Sequence, residues 1–144
     1  LPIGVGVATA VRMEKMPARV WILCGDSEMA EGSIWEAVEH AGTQSLGNLT
    51  ALIDVNRLGQ TGETMHGWDL RSYAARAEAA GWNTLEIDGH DVQEIEDAYV
   101  NAEASDRPTM IVASYSSASG SASAKGVTGS TVGVITTDTT SSTK

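Results

Sequence analysis

The apolar positions of the chain fall into two alternating kinds of run. Residues 20–24 (VWILC) and 49–55 (LTALIDV) are near-continuous apolar stretches of strand length, the pattern of strands covered on both faces of a sheet. Residues 82–87 (WNTLEI) and 109–113 (TMIVA) read as two more. Between the first pair, Ile34, Ala37, Val38 and Ala41 recur at helical spacing, with Gly42 as the expected stop. Asp69 is placed to cap a helix through Ala80 that ends at Gly81. Asp91, with Glu94 three positions on, forms a capping-box pattern that opens a helix to about Ser105. An N-terminal helix from about Ile3 to Met16 stops before Pro17. The order strand, helix, strand, helix, strand, helix, strand predicts an α/β fold, a parallel sheet flanked by helices.

Composition changes this picture at one place. Residues 114–144 contain 9 Ser and 7 Thr, and only Lys125, Asp138 and Lys144 are charged. A Ser/Thr-rich low-complexity tail is therefore expected over 114–144, a linker or disordered segment, with the folded domain over 1–113. At 144 residues there is room for one core and not for two full domains. The formal net charge of −10 argues against nucleic acid, whose phosphates need clustered Lys and Arg. A phosphorylated ligand would have to be met by backbone N–H groups or by a metal. The single cysteine, Cys24, excludes an intramolecular disulfide and a cysteine-only zinc site. No apolar run approaches the roughly 18 residues of a membrane span. The opening LPIGVGVATA lacks a basic segment ahead of its apolar stretch, so it is a poor signal peptide and a cytoplasmic location is expected. It also lacks an initiator Met, which points to a processed chain or a piece of something longer.

In open α/β sheets ligands bind beyond the carboxyl ends of the strands, which directs attention to Gly25-Asp26-Ser27 and Asn56-Arg57-Leu58-Gly59. Gly25 allows a tight turn and close approach to a ligand, and Asp26 puts a carboxylate at the tip. Asn56, 30 positions later, offers an amide oxygen at the end of the neighbouring strand. Taken singly, Asp26 reads as a helix cap and Asn56 as a turn residue. Taken together they supply hard oxygen ligands of the kind Mg²⁺ accepts when phosphates and water complete its octahedron.

The stretch GDSEMAEGSIWEA (25–37) followed by NLTALIDVNRLGQTG (48–62) resembles the thiamine-diphosphate motif, and its wording is closest to transketolase. The likeness runs back to LPIGVGVATA and on through GWDLRSYAARAEAAGWNTLEIDGHD (67–91) to RPTMIVA (107–113). The resemblance implies thiamine diphosphate and Mg²⁺ as cofactors. It makes the Asp26 and Asn56 side chains and the Leu58 carbonyl the metal ligands, and it turns Gly25 and the Ser27 N–H toward the diphosphate. Glu31 matches an acid at the family's subunit interface near the cofactor; by itself it reads as a first-turn acid favoured by the helix dipole. Ser27 replaces the commoner Gly of the motif. The activity implied is transfer of a two-carbon ketol unit between sugar phosphates.

The family's pyrimidine-binding domain has no counterpart in this sequence, so a pyrimidine-binding domain or subunit in a homo- or hetero-oligomer is the expected partner, with little activity alone and no catalytic residue assigned here. A 2-oxo acid dehydrogenase E1 or deoxyxylulose-phosphate synthase component and a non-catalytic subunit-association remnant are the alternatives. His40, His66 and His90 are expected at the surface or in supporting roles, with His66 of most interest because it follows Asn56 in a glycine-bearing loop. Cys24 reads as a small buried hydrophobe, and Trp21, Trp35, Trp68 and Trp82 as core or interface anchors. Glu94, Glu96 and Asp97 read as a solvated helix face. Lys125-Gly126-Val127 faintly resembles the segment that follows RPTMIVA in the family.

Overall fold

The computed structural model describes residues 1–116 and the backbone of 134–138. Helix α1 (Pro2–Met13) starts with proline at its first position, where the missing N–H costs nothing. It ends three residues before the expected Met16, because Lys15 turns left-handed (φ 54°) and the Met16 N–H closes onto the Val11 carbonyl. Strand β1 (Ala18–Gly25), a single 3₁₀ turn (Glu28–Ala30), α2 (Gly32–Thr43), β2 (Leu49–Val55), α3 (Leu70–Ala79), β3 (Asn83–Asp88), α4 (Val92–Ala104) and β4 (Thr109–Ser114) follow. Strand β5 (Val134–Asp138) lies within the Ser/Thr-rich segment that composition marked as a tail. The remainder of that tail beyond Ser116, including Lys125-Gly126-Val127, lies outside the described residues.

The sheet order is β3-β4-β2-β1-β5, with β1 to β4 mutually parallel and β5 antiparallel on the edge of β1. Right-handed crossovers explain where the helices lie. The steps β1 to β2 and β2 to β3 move the same way across the sheet, so α2 and α3 share a face and touch each other. The step β3 to β4 reverses direction and puts α4 on the opposite face. Strand alternation divides the core accordingly. Val20, Ile22 and Cys24 of β1 join Leu49, Ala51, Ile53 and Val55 of β2 in the large cluster under α1, α2 and α3. Trp21 and Ile111 face α4 with Ala98 and Ala102.

Coverage of both faces, expected from the apolar runs, is complete on the first and partial on the second. With α4 alone on that side, Leu23 is 45% exposed, and a cavity of about 200 Å³ opens between Leu23, Leu52, Ile111, Tyr99 and Tyr115.

Two glycines behave differently from each other. Gly81 adopts φ 94° and ends α3 as expected. Gly42 does not stop α2, which runs on to Thr43. A Cβ at Gly42 would lie 1.8 Å from the Ala80 carbonyl oxygen, so the glycine is there for helix contact, and beside it the Trp82 ring N–H donates to the Val38 carbonyl at 2.8 Å. The capping box at Asp91 is half-formed: Asp91 accepts the Gln93 and Glu94 N–H groups, while the Glu94 carboxylate accepts from Asp88 N–H because the Asp91 N–H already donates to the Asp88 carbonyl.

Candidate functional site

The ends of β1 and β2 lie side by side, Gly25 opposite Asp54, and the ladder continues one step further as the Asp26 N–H donates to the Asp54 carbonyl at 3.0 Å. This extra rung draws Asp26 over the end of the sheet, where it is 3% exposed. Its Oδ2 accepts the Arg57 N–H at 3.0 Å and the Thr64 hydroxyl at 2.5 Å. Its Oδ1 is buried without a partner among the described residues. A buried carboxylate oxygen left in that state costs free energy unless something cationic or protic meets it.

The segment after β2 is shaped around that carboxylate. Arg57 takes φ 64°, a left-handed conformation uncommon outside glycine, which aims its N–H back at Asp26. Its guanidinium pairs with Glu63 and lies 5.1 Å from the centroid of the Trp68 ring. Asn56 is oriented from both ends: its Nδ2 donates to Asp54 Oδ2 at 2.9 Å, and its Oδ1 accepts the Leu58 N–H at 2.8 Å. Leu58 and Glu63 face each other in an antiparallel bridge whose two bonds run from the Gly59 N–H to the Gly62 carbonyl and from the Thr64 N–H to the Arg57 carbonyl. Neither bond uses the Leu58 carbonyl.

Burial holds the Asp54 carboxyl above the usual carboxylate range; its hydrogen bond from Asn56 pulls it back, and the nearby Asp26 pushes it up further. Tyr73, 2% exposed, is likewise raised, by burial first and then by Asp26. His66 meets Tyr73 edge-on at 5.1 Å, one side chain removed from Asp26. His40 lies exposed on α2, and His90 stacks on Tyr115 at 4.6 Å, away from Asp26. Cys24 is fully buried, and that burial pushes its thiol up.

On the β1 side, Gly25 does not need to be glycine for the chain's own sake. A Cβ there would meet only Ser27 Oγ at 3.7 Å and Glu28 Oε2 at 3.8 Å, both ordinary contacts. What the missing side chain leaves open is therefore approach from outside. Ser27 has φ −65°, so serine sits there without strain, and its N–H has no partner among the described residues. Glu31 takes the N-cap position of α2, exposed and with no side-chain capping bond.

The donor set suits a hard divalent cation that arrives with phosphates. It offers one unpartnered carboxylate oxygen, one amide oxygen with a free lone pair, and one carbonyl outside the bridge bonds. Among the described residues no cluster of three His, Cys, Asp or Glu forms a metal cage, so the remaining coordination would fall to ligand oxygens and water. The structure thus brings Asp26, Asn56 and Leu58 together, with Gly25 and Ser27 beside them, and leaves Glu31 at the rim. Sequence reasoning missed Thr64, Asp54 and Glu28, which orient the others. Only Asp54 left a sequence signal, as an acid inside an apolar strand two residues before Asn56. No helix among the described residues is long and apolar enough to cross a membrane.

Comparison with known proteins gives the same outline. The family model for the thiamine diphosphate binding domain of transketolase matches residues 2–144. Human transketolase-like protein 2 is 44% identical over 121 residues, covering 77% of this chain and 19% of that protein. The transketolase of Campylobacter jejuni superposes with a TM-score of 0.71 at 30% identity over 78% of this chain and 19% of its own. A Pichia stipitis transketolase solved with sedoheptulose-7-phosphate gives 0.65 at 26% identity over 78% and 18%. The chain spans less than a fifth of the length of these relatives. With the four parallel strands and the strand-end site in place, the chain belongs to the transketolase family, within its thiamine-diphosphate-binding domain.

Proposed function

We propose that this chain is the diphosphate-binding part of a transketolase, holding Mg²⁺ through Asp26, Asn56 and the Leu58 carbonyl and receiving thiamine diphosphate beside Gly25 and Ser27. The observation that carries the reading is the unpartnered Oδ1 of Asp26, buried at 3% exposure on a carboxylate whose other oxygen is held by the loop that carries Asn56 and Leu58. When bound, thiamine diphosphate supplies carbanion chemistry for ketol transfer. The protein's own contribution is positional. Thr64 and the Arg57 N–H fix one Asp26 oxygen and leave the other buried and unpartnered among the described residues, and Asp54 with the Leu58 N–H fixes the flip of the Asn56 amide. Ser27 offers a backbone N–H to an anion.

Turnover needs a pyrimidine-binding domain or subunit in a homo- or hetero-oligomer, and the exposure of Glu31 at the start of α2 is compatible with a contact to it. Sugar phosphates are the substrates, in line with the sugar phosphate bound by the Pichia relative, and a cytoplasmic setting suits them. Calorimetry on the purified chain should show thiamine diphosphate binding that requires Mg²⁺ and is lost in Asp26→Ala. Ketol transfer should appear only after a pyrimidine-binding half is added. Steady turnover by the chain alone would refute the need for a partner. Absence of metal-dependent binding in the assembled complex would favour a role in subunit association only.

A further inference from the structure

Among the strand-end groups, one contact is out of keeping with a site made for an anion. The Gly25 N–H, which a diphosphate would approach, already donates to Glu28 Oε2 at 2.7 Å. We propose that Glu28 is a resident anion of the diphosphate site, holding the Gly25 N–H when no ligand is bound and displaced when the diphosphate arrives, so that it sets the affinity for the cofactor.

The inference rests on the reading of the strand ends as a diphosphate site, and four observations support it. First, the Gly25 N–H is not used by the sheet: the rung at this point runs from the Asp26 N–H to the Asp54 carbonyl, leaving Gly25 to an added acceptor. Second, that acceptor is the kind a phosphate would be, an anionic oxygen on a backbone N–H at charge-assisted distance. Third, no cation holds Glu28. The ion pairs among the described residues are Arg57 with Glu63 and Arg71 with Glu78 and Glu86, and the Glu28 carboxylate accepts from Gly25 alone. Fourth, release needs only a side-chain rotation. Glu28 opens the 3₁₀ turn, whose backbone is fixed independently by the Glu31 N–H on the Glu28 carbonyl at 3.0 Å and by Met29, which is 3% exposed.

One N–H cannot serve two anions at full strength, and a carboxylate that stayed beside a diphosphate would repel it. Glutamine at position 28 keeps an acceptor for the Gly25 N–H but removes the charge, and alanine removes both. In the ligand-free chain, hydrogen exchange at the Gly25 amide should be about tenfold faster in Glu28→Ala and close to wild type in Glu28→Gln. With Mg²⁺ present, Glu28→Gln should bind thiamine diphosphate, and inorganic pyrophosphate as a smaller probe, about tenfold more tightly than wild type, with Glu28→Ala at least as tight. Glu39→Gln, which removes an exposed acid on α2, should leave both affinities unchanged.

Unchanged exchange at Gly25 in Glu28→Ala would overturn the proposal, as would wild-type or weaker ligand binding by both Glu28 variants, or an equal gain in Glu39→Gln. If no form of the chain bound either ligand, the diphosphate reading itself would fall and Glu28's role with it. That outcome is distinguishable, because the ligand-free exchange result would stand.

Discussion

Replacing Asp26 separates what this side chain does for the fold from what it does for a ligand. Asp26→Ala removes the acceptor of both the Arg57 N–H and the Thr64 hydroxyl at a position only 3% exposed. Each donor stranded in that way costs about 1–3 kcal/mol, so the ligand-free chain should lose about 2–6 kcal/mol, a large part of the typical 5–15 kcal/mol. Asp26→Asn has the same shape. Its carbonyl oxygen can keep both donors, its NH₂ takes the place of the unpartnered Oδ1, and the buried charge disappears. The ligand-free change should therefore stay within about 1 kcal/mol. The ligand response should be the reverse of this ranking, since an NH₂ cannot coordinate a metal. For wild type, Mg²⁺ and thiamine diphosphate at a hundred times their dissociation constant should add about 2.7 kcal/mol, or about 10 °C in melting temperature for a domain of this size. Asp26→Asn should show none of that increment. Thermal unfolding with and without both ligands measures all of these quantities. The reasoning is refuted if Asp26→Asn keeps the ligand-dependent rise, or if it destabilises the free chain as much as Asp26→Ala.

Two further outcomes are expected away from the site. Gly42→Ala places a Cβ 1.8 Å from the Ala80 carbonyl, beyond what side-chain adjustment can relieve, and should lower stability by about 3 kcal/mol, read as a fall in urea midpoint at constant slope. Hydrogen bonds from Arg71 first, and then from Thr84, hold the Glu78 carboxyl down at about 2, so the stability it contributes is present above the ordinary value near 4.5 and is lost as pH falls toward 2. Carboxyl NMR should show Glu78 titrating near 2 in wild type and close to its ordinary value in Arg71→Ala.

The elements legible in the sequence were those whose hydrophobic period had one meaning. Residues 49–55 read as a buried strand and form β2 with those bounds, and Asp69 caps α3 through the Ser72 N–H as expected. Gly42 was misread because a glycine near a helix end signals a stop equally well whether it ends the helix or makes room for a neighbour, and the neighbour, Ala80, is 38 positions away in the chain. Strand β5 was hidden for a related reason: VITTD has β-branched residues but sits among Ser and Thr with no apolar face to mark it. At the site, Asp26, Asn56 and Leu58, the positions proposed to hold the metal, could be singled out because they follow apolar strands directly. Thr64 and Arg57 could not, since each acts on Asp26 through a loop conformation that only the folded chain specifies.

Charge ties these observations together. Asp26, Glu28 and Asp54 converge on the ends of β1 and β2, and the one cationic side chain in the adjoining loop, Arg57, is committed to Glu63 and Trp68. A bare diphosphate would therefore meet a carboxylate on the Gly25 N–H and an unneutralised one at Asp26. A bare Mg²⁺ would find one charged protein ligand and two neutral oxygens, too few to replace its hydration shell. Each ion supplies what the other lacks, so their binding should be strongly and reciprocally coupled. A net charge that excludes polyanions in general is thus compatible with one anion, provided a divalent cation accompanies it.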